Sequence, residues 1–257
     1  MGGSSVVYKG HSPEFEDNFF ALKIFNRRKG ADSVPEDRFR SEIGALYDVE
    51  HPNIVRPYTF FRDGPLLVLV LEYVQGGDLR GLLDKQRKFT LPEIISILSR
   101  VADALQSIHD VGMIHRDLKP ENILMPAINV PKITDFGVAL LTGGPRFTAR
   151  GSIVGTAYYV SPEYIEFDML DSRSDIYSLG IIAYELVAGR IPFEGETITQ
   201  ILNTKILYDL PSIHELADDV PDVLADVLER AVNRDPRLRF QKASEMRDAL
   251  LDVLRRI

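Results

Sequence analysis

Residues 174 to 188 read SDIYSLGIIAYELVA and end at Gly189 and Pro192. Apolar side chains fall nearly all round the helix this stretch predicts, so it must lie at the centre of a lobe, wrapped by other elements. The wrapping elements are legible too. Thr90 with Glu93 makes a capping-box start, and Ile94, Ile97, Leu98, Val101, Leu105 and Ile108 then line one face up to a stop at Gly112. Further helices are predicted from Pro221 to Asn233 and from Lys242 to Arg256. From Thr90 onward the chain is therefore a helical lobe built around one buried rod.

The first 70-odd residues obey a different period. Val6-Val7-Tyr8, Phe19 to Phe25 and Leu66 to Leu71 are β-branched or apolar runs bounded by Gly, Pro, Asn and Asp, with Asp63-Gly64-Pro65 as a turn before the last. Between them, Pro35 to Val49 sets Phe39, Ile43 and Leu46 at helical spacing. This is a small sheet with one helix, and Gln75-Gly76-Gly77 is the natural hinge to the helical lobe. The expected class is α+β and bilobal, one domain over 1–257, with a small antiparallel lobe at 1–74 and a larger helical lobe at 75–257.

Composition excludes several functions. Leu66 to Leu71, the longest apolar run of the 257 residues, falls far short of the ~20 that a membrane helix needs. With no cysteine there are no disulfides or thiolate metal sites, which fits a cytoplasmic setting. A formal charge of -8 argues against a nucleic-acid surface, and Arg27-Arg28-Lys29 reads as a solvated turn.

The chemistry concentrates in HRDLKPENIL, 115 to 124, followed by a short hairpin and ITDFGVA, 133 to 139. Upstream stand FFALKIF around Lys23 and FRSEIGAL around Glu42; downstream stand GTAYYVSPE, 155 to 163, and RDPRLRF, 234 to 240. A lone lysine in a strand is normally a solvated edge residue, and a lone Asp or Asn a turn or cap. Motifs in this order and at these intervals reverse that expectation: the chain resembles a eukaryotic-type protein kinase domain from Gly2 to about Phe240.

The resemblance implies ATP as phosphoryl donor, Mg²⁺ or Mn²⁺ as cofactor and protein serine or threonine hydroxyls as acceptors. It assigns Asp117 to the substrate hydroxyl, Lys119 to the transferring phosphoryl, and Asn122 and Asp135 to the metal. Lys23, paired with Glu42, would reach the α and β phosphates. The backbone of Glu72 and Val74 would meet the adenine edge, with Leu71 as gatekeeper, Asp78 on the ribose and Val7, Ala21 and Leu124 around the ring. Lys119 and Thr156 match the serine/threonine branch; Glu163 would pair with Arg239, and Asp175 would hold the catalytic loop. Arg116 matches kinases that hold a phosphorylated activation loop, which offers Thr148 first and Ser152 second.

The compact loops resemble bacterial kinases of the PknB-like group, often the cytosolic part of a longer membrane receptor, for which analogy adds a back-to-back homodimer. In the family's glycine loop the second glycine falls at Gly2 and the third at Ser5, while the first glycine and the first strand have no counterpart. Weakened ATP binding and lower stability are the expected consequence. A pseudokinase-like nucleotide-binding scaffold is the alternative reading.

Overall fold

The computed structural model describes residues 5–12, 15–26, 44, 47, 49–136, 154–193, 195 and 197–257. The expected helix from Pro35 to Val49 lies almost wholly outside them; Gly44 and Tyr47 are helical.

The small lobe is an antiparallel sheet of β1 (Ser5–Ser12), β2 (Phe15–Asn26), β3 (Pro57–Asp63) and β4 (Leu66–Glu72) in the order β1-β2-β4-β3. Gly64, at φ 54°, makes the turn between β3 and β4. Lys23 lies opposite Val7 in β1 and Leu69 in β4, and Ala21 lies opposite Leu71. Because side chains alternate along a strand, Val7, Ala21, Lys23, Leu69 and Leu71 share one face of the sheet. Phe25 and Leu69 are the buried centre of this lobe, with Phe60, Leu67 and Leu71 packed against them. Strand β3 had no clear period in the sequence, and most of its side chains are exposed.

A second, three-stranded sheet forms the seam: β5 (Gly77–Asp78), β6 (Ile123–Met125) and β7 (Lys132–Ile133). The chain enters it through Gly76, whose φ of 129° and close approach, 2.7 Å from a notional Cβ to the Met125 carbonyl oxygen, admit no side chain. The predicted hinge is thus held open by the need for glycine.

The large lobe comprises α1 (Leu79–Asp84), α2 (Leu91–Asp110), α3 (Val154–Ala157), α4 (Pro162–Phe167), α5 (Ser172–Ala188), α6 (Ile198–Leu207), α7 (Ile213–Leu216), α8 (Asp222–Ala231) and α9 (Ala243–Arg256). Both halves of the Thr90–Glu93 capping box are made, and the six apolar positions predicted for α2 are all buried. Every residue of α5 from Ser174 to Leu186 is buried. Gly180 lets α8 pack directly onto it, since a Cβ there would stand 2.6 Å from Val232 Cγ1. No described helix is long and apolar enough to cross a membrane.

An ion pair locks this lobe. Arg239, its side chain fully buried, donates to both carboxylate oxygens of Glu163 at 2.9 and 2.7 Å and from Nε to the Asn233 carbonyl at 2.6 Å, with its guanidinium over the Tyr177 ring. Burial works to raise the Glu163 carboxyl, but the guanidinium holds it below its ordinary value. Glu163→Gln leaves a buried cation without its anion and is expected to cost about 3–5 kcal/mol. In urea denaturation the Glu163→Gln/Arg239→Met double variant should recover a large part of that loss; equal losses would show that the pair does not act as a unit.

Candidate active site

The centre of the site is built from the loop between α2 and β6, and Asp175 shapes that loop. Its carboxylate, in the first turn of α5 and 1% exposed, accepts the backbone N–H of His115 at 2.8 Å and of Arg116 at 2.9 Å. His109 Nε2, from the last turn of α2, lies 2.8 Å from the same carboxylate. Burial pushes the Asp175 carboxyl up, yet His109 and the loop N–H groups hold it below its ordinary 3.8.

His115 completes the scaffold. Its Nδ1 accepts the Asp117 N–H at 3.3 Å and its Nε2 lies 2.9 Å from the Thr134 carbonyl, so only the tautomer protonated at Nε2 satisfies both contacts. The ring packs edge-on against Phe136, 5.2 Å between centroids. One imidazole thereby ties the loop bearing Asp117 to the segment bearing Asp135.

Around this frame the charged groups converge. Lys119 Nζ donates to both oxygens of Asp117, at 3.1 and 2.9 Å, and to Thr156 Oγ1 at 3.0 Å. The Asn122 side-chain amide donates to the Asp117 carbonyl at 2.7 Å and to its carboxylate at 3.2 Å. That orientation leaves Asn122 Oδ1 without a hydrogen bond among the described residues. Asp135, at φ 67°, accepts Lys23 Nζ on Oδ1 at 2.7 Å, and among the described residues its second oxygen has no ion pair. An amide oxygen and a carboxylate oxygen on adjoining segments suit Mg²⁺, which keeps water and phosphate oxygens for its other positions.

The hinge residues carry structural duties of their own. Glu72 donates its N–H to the Arg56 carbonyl at 2.8 Å, while its carboxylate pairs with Lys132 of β7 at 2.8 Å. Asp78 Oδ1 accepts the Gly81 N–H at 2.8 Å and so caps α1. Leu124 lies opposite Asp78 in the seam sheet, and Val74 follows β4 on the path to Gly76. Gly2, Glu42, Thr148 and Ser152 lie outside the described residues.

Three contacts were not foreseen in the sequence: the Glu72–Lys132 pair, His109 on Asp175, and a buried cluster around Arg80. Arg80 of α1 donates to Glu185 at 2.8 and 3.1 Å and to the Tyr159 hydroxyl at 2.5 Å, and that hydroxyl donates to Glu185 at 2.5 Å. Glu185 stands alone as an acid in the apolar run of α5, a placement that requires a buried cationic partner. That was the available signal, although it could not name Arg80, 105 positions earlier.

Known proteins are similar to this chain in sequence and fold. The family model described as protein kinase domain matches residues 1–250. Serine/threonine-protein kinase PknL of Mycobacterium tuberculosis is 34% identical over 245 residues, covering 95% of this chain and 61% of its own length. For serine/threonine-protein kinase PrkC of Bacillus subtilis the figures are 32% over 245 residues, 95% and 38%. The chain thus spans about two-fifths to three-fifths of these relatives. The crystal structure of Rad53 1-466 in complex with AMP-PNP superposes with a TM-score of 0.79 at 28% identity, covering 96% of this chain and 62% of that one.

Acid should dismantle the loop anchor. Asp175 has a lowered folded value, so its contribution is complete above about pH 4, the unfolded carboxylate range, and is lost as pH falls through the folded value. Asp175→Asn is expected to lose about 3 kcal/mol at neutral pH, with a shallower decline in the acid. Urea midpoints from pH 7 to pH 3 measure both; acid limbs of equal slope would rule this account out.

Proposed function

The chain belongs to the protein kinase family, as a eukaryotic-type domain related to bacterial serine/threonine kinases, and from that membership we propose that it transfers the γ-phosphoryl group of ATP to serine or threonine hydroxyls of proteins. The observation that carries this reading is Lys119, whose ammonium joins the Asp117 carboxylate to the Thr156 hydroxyl. It places the expected base, a phosphoryl-neutralising cation and the segment expected to receive substrate in one hydrogen-bonded unit.

In this reading Asp117 orients the acceptor hydroxyl and takes its proton as the oxygen bonds to the γ-phosphorus and the bond to the bridging oxygen of ATP breaks. Lys119 lies beside Asp117, where it offsets charge on the moving group. Asn122 Oδ1 and the Asp135 carboxylate would hold Mg²⁺, which supplies charge neutralisation on the phosphates. Lys23 holds Asp135 and would turn to the α and β phosphates, with Glu42 as its partner. The sheet face bearing Val7 and Ala21, with Leu124 from the other lobe, would enclose adenine; the backbone of Glu72 and Val74 would read its edge, Asp78 would take the ribose, and Gly2 would lie over the phosphates.

Regulation by the activation segment belongs to the same reading. Arg116 sits at φ 71°, and its Nε is buried without a hydrogen-bond partner among the described residues. A guanidinium so placed suits a phosphate on Thr148 or Ser152.

Mass spectrometry after incubation with Mg-ATP tests the proposal. Phosphate is expected on the activation segment, Thr148 first, with the rate lowered by roughly 10²–10⁴-fold in Asp117→Asn. Nucleotide binding with no transfer, either to the chain or to a generic acceptor protein, would favour the scaffold reading.

A further inference from the structure

Away from the cleft, the large lobe contains a cavity of about 320 Å³ between α5, α6 and the end of α8. Its inner wall is Tyr177 and Tyr184 of α5, Lys205 of α6, Phe193 and Val232. All are buried, whereas Tyr208, Asp209, Glu229 and Arg234 stand exposed at the mouth. This volume lies near the lower end of those that hold small ligands.

The inner wall offers two phenolic hydroxyls and one amine, and no carboxylate stands among these five residues. Tyr177 and Tyr184, residues 2% and 1% exposed, line the cavity, and neither hydroxyl makes a hydrogen bond among the described residues. Lys205 is 2% exposed and has no carboxylate within ion-pair distance among those residues. It donates to the carbonyls of Ala157, at 3.4 Å, and Tyr158, and lies over the rings of Phe193 and Tyr177 at 4.4 and 5.1 Å. Burial pushes its ammonium well below the usual value, opposed by the charge of Glu163 and aided by that of Arg239. Glu229 at the mouth accepts the Ser212 hydroxyl at 2.7 Å and lies near enough to Tyr184 for its charge to add to burial in pushing that phenol up, while Asp209 faces solvent.

We propose that this cavity is a binding site for a small monocarboxylate with an apolar or aromatic body, its carboxylate taken by the Tyr177 and Tyr184 hydroxyls and Lys205. Lys205 is the one amine of this inner wall, and a single carboxylate beside it would favour its protonated form; a polyanion would bring a charge with no partner into a poorly solvated space. Phe193, Val232 and the two tyrosine rings receive the body of the ligand. Occupancy reaches the active site through Lys205, because Ala157 and Tyr158 directly follow Thr156, the hydroxyl held by Lys119.

Benzoate is the probe, with benzyl alcohol as its uncharged counterpart, titrated into the full chain by calorimetry without nucleotide so that the outcome is independent of kinase activity. Benzoate should bind at least tenfold more tightly than benzyl alcohol, and Tyr177→Phe and Tyr184→Phe should each weaken it roughly tenfold, the loss of one hydrogen bond to a charged group. Bound benzoate should also slow backbone hydrogen exchange across residues 156–159. Equal binding of the two probes, no binding, or affinity unchanged in both phenylalanine variants would overturn the proposal, as would a crystal structure with benzoate in which only water fills the cavity. Should either variant fail to fold, the comparison of the two probes on the unmodified chain decides.

Discussion

Three N–H groups meet on the carboxylate of Asp175, and the geometry of the loop that bears Asp117 follows from that meeting. Two come from the backbone of His115 and Arg116 and the third from the His109 ring. The carboxylate is fixed because it belongs to α5, a helix buried through thirteen consecutive residues, Ser174 to Leu186. A loop tied to such a rod inherits its rigidity. This matters most at Arg116, which holds a left-handed conformation, φ 71°, that costs a non-glycine residue energy. Asp135 holds a similar strained conformation and is restrained by Lys23 and by the contacts of Thr134 and Phe136 with His115. Strain at these two positions is sustained by charge and packing on either side.

The lobes meet at β7. Ile133 exchanges hydrogen bonds with the stretch after the small lobe's helix, donating to the Asn53 carbonyl at 2.8 Å and accepting the Val55 N–H at 2.9 Å. Its neighbour Lys132 pairs with Glu72 at the end of β4. Two residues further on, Asp135 receives Lys23 from β2. One short segment therefore carries both the junction between lobes and a candidate metal ligand. The small lobe centres on Phe25 and Leu69, whereas the large lobe's core runs through α2, α5, α8 and α9. A shift between the lobes should therefore be felt first at Lys23, while the loop bearing Asp117 stays with the helices.

The large lobe's architecture was legible in the sequence. The capping box at Thr90, the all-apolar run of α5 and the stop at Gly189 are local signals, and the four helices read from the sequence, α2, α5, α8 and α9, appeared within about two residues of their predicted bounds, whereas α1, α3, α4, α6 and α7 were not foreseen. The site motifs were legible because they too are compact: His115, Asp117, Lys119 and Asn122 fall within eight positions. Less visible were contacts between distant positions. Glu185 requires a cation, but only folding selects Arg80; Glu72 looked like a backbone contact for adenine, while its side chain is an anchor to Lys132. Lys205 and the helix that carries it, α6, drew no expectation from the sequence, because no local pattern separates a solvated lysine from a buried one.

The sequence by itself determined which chemistry is present, two lobes with different periods, a buried central helix and the placing of acids, amide and lysines in short motifs, because helix and strand periodicity and the spacing of a loop are properties of neighbours in the chain. Tertiary structure decided what each charge meets. It set Lys23 on Asp135, Lys119 between Asp117 and Thr156, Arg239 on Glu163, and Lys205 in a cavity lined by two phenols. The reason is physical: the energy of a buried charge depends on the few groups within several ångströms of it, and those groups come from parts of the chain that only the packing of helices brings together.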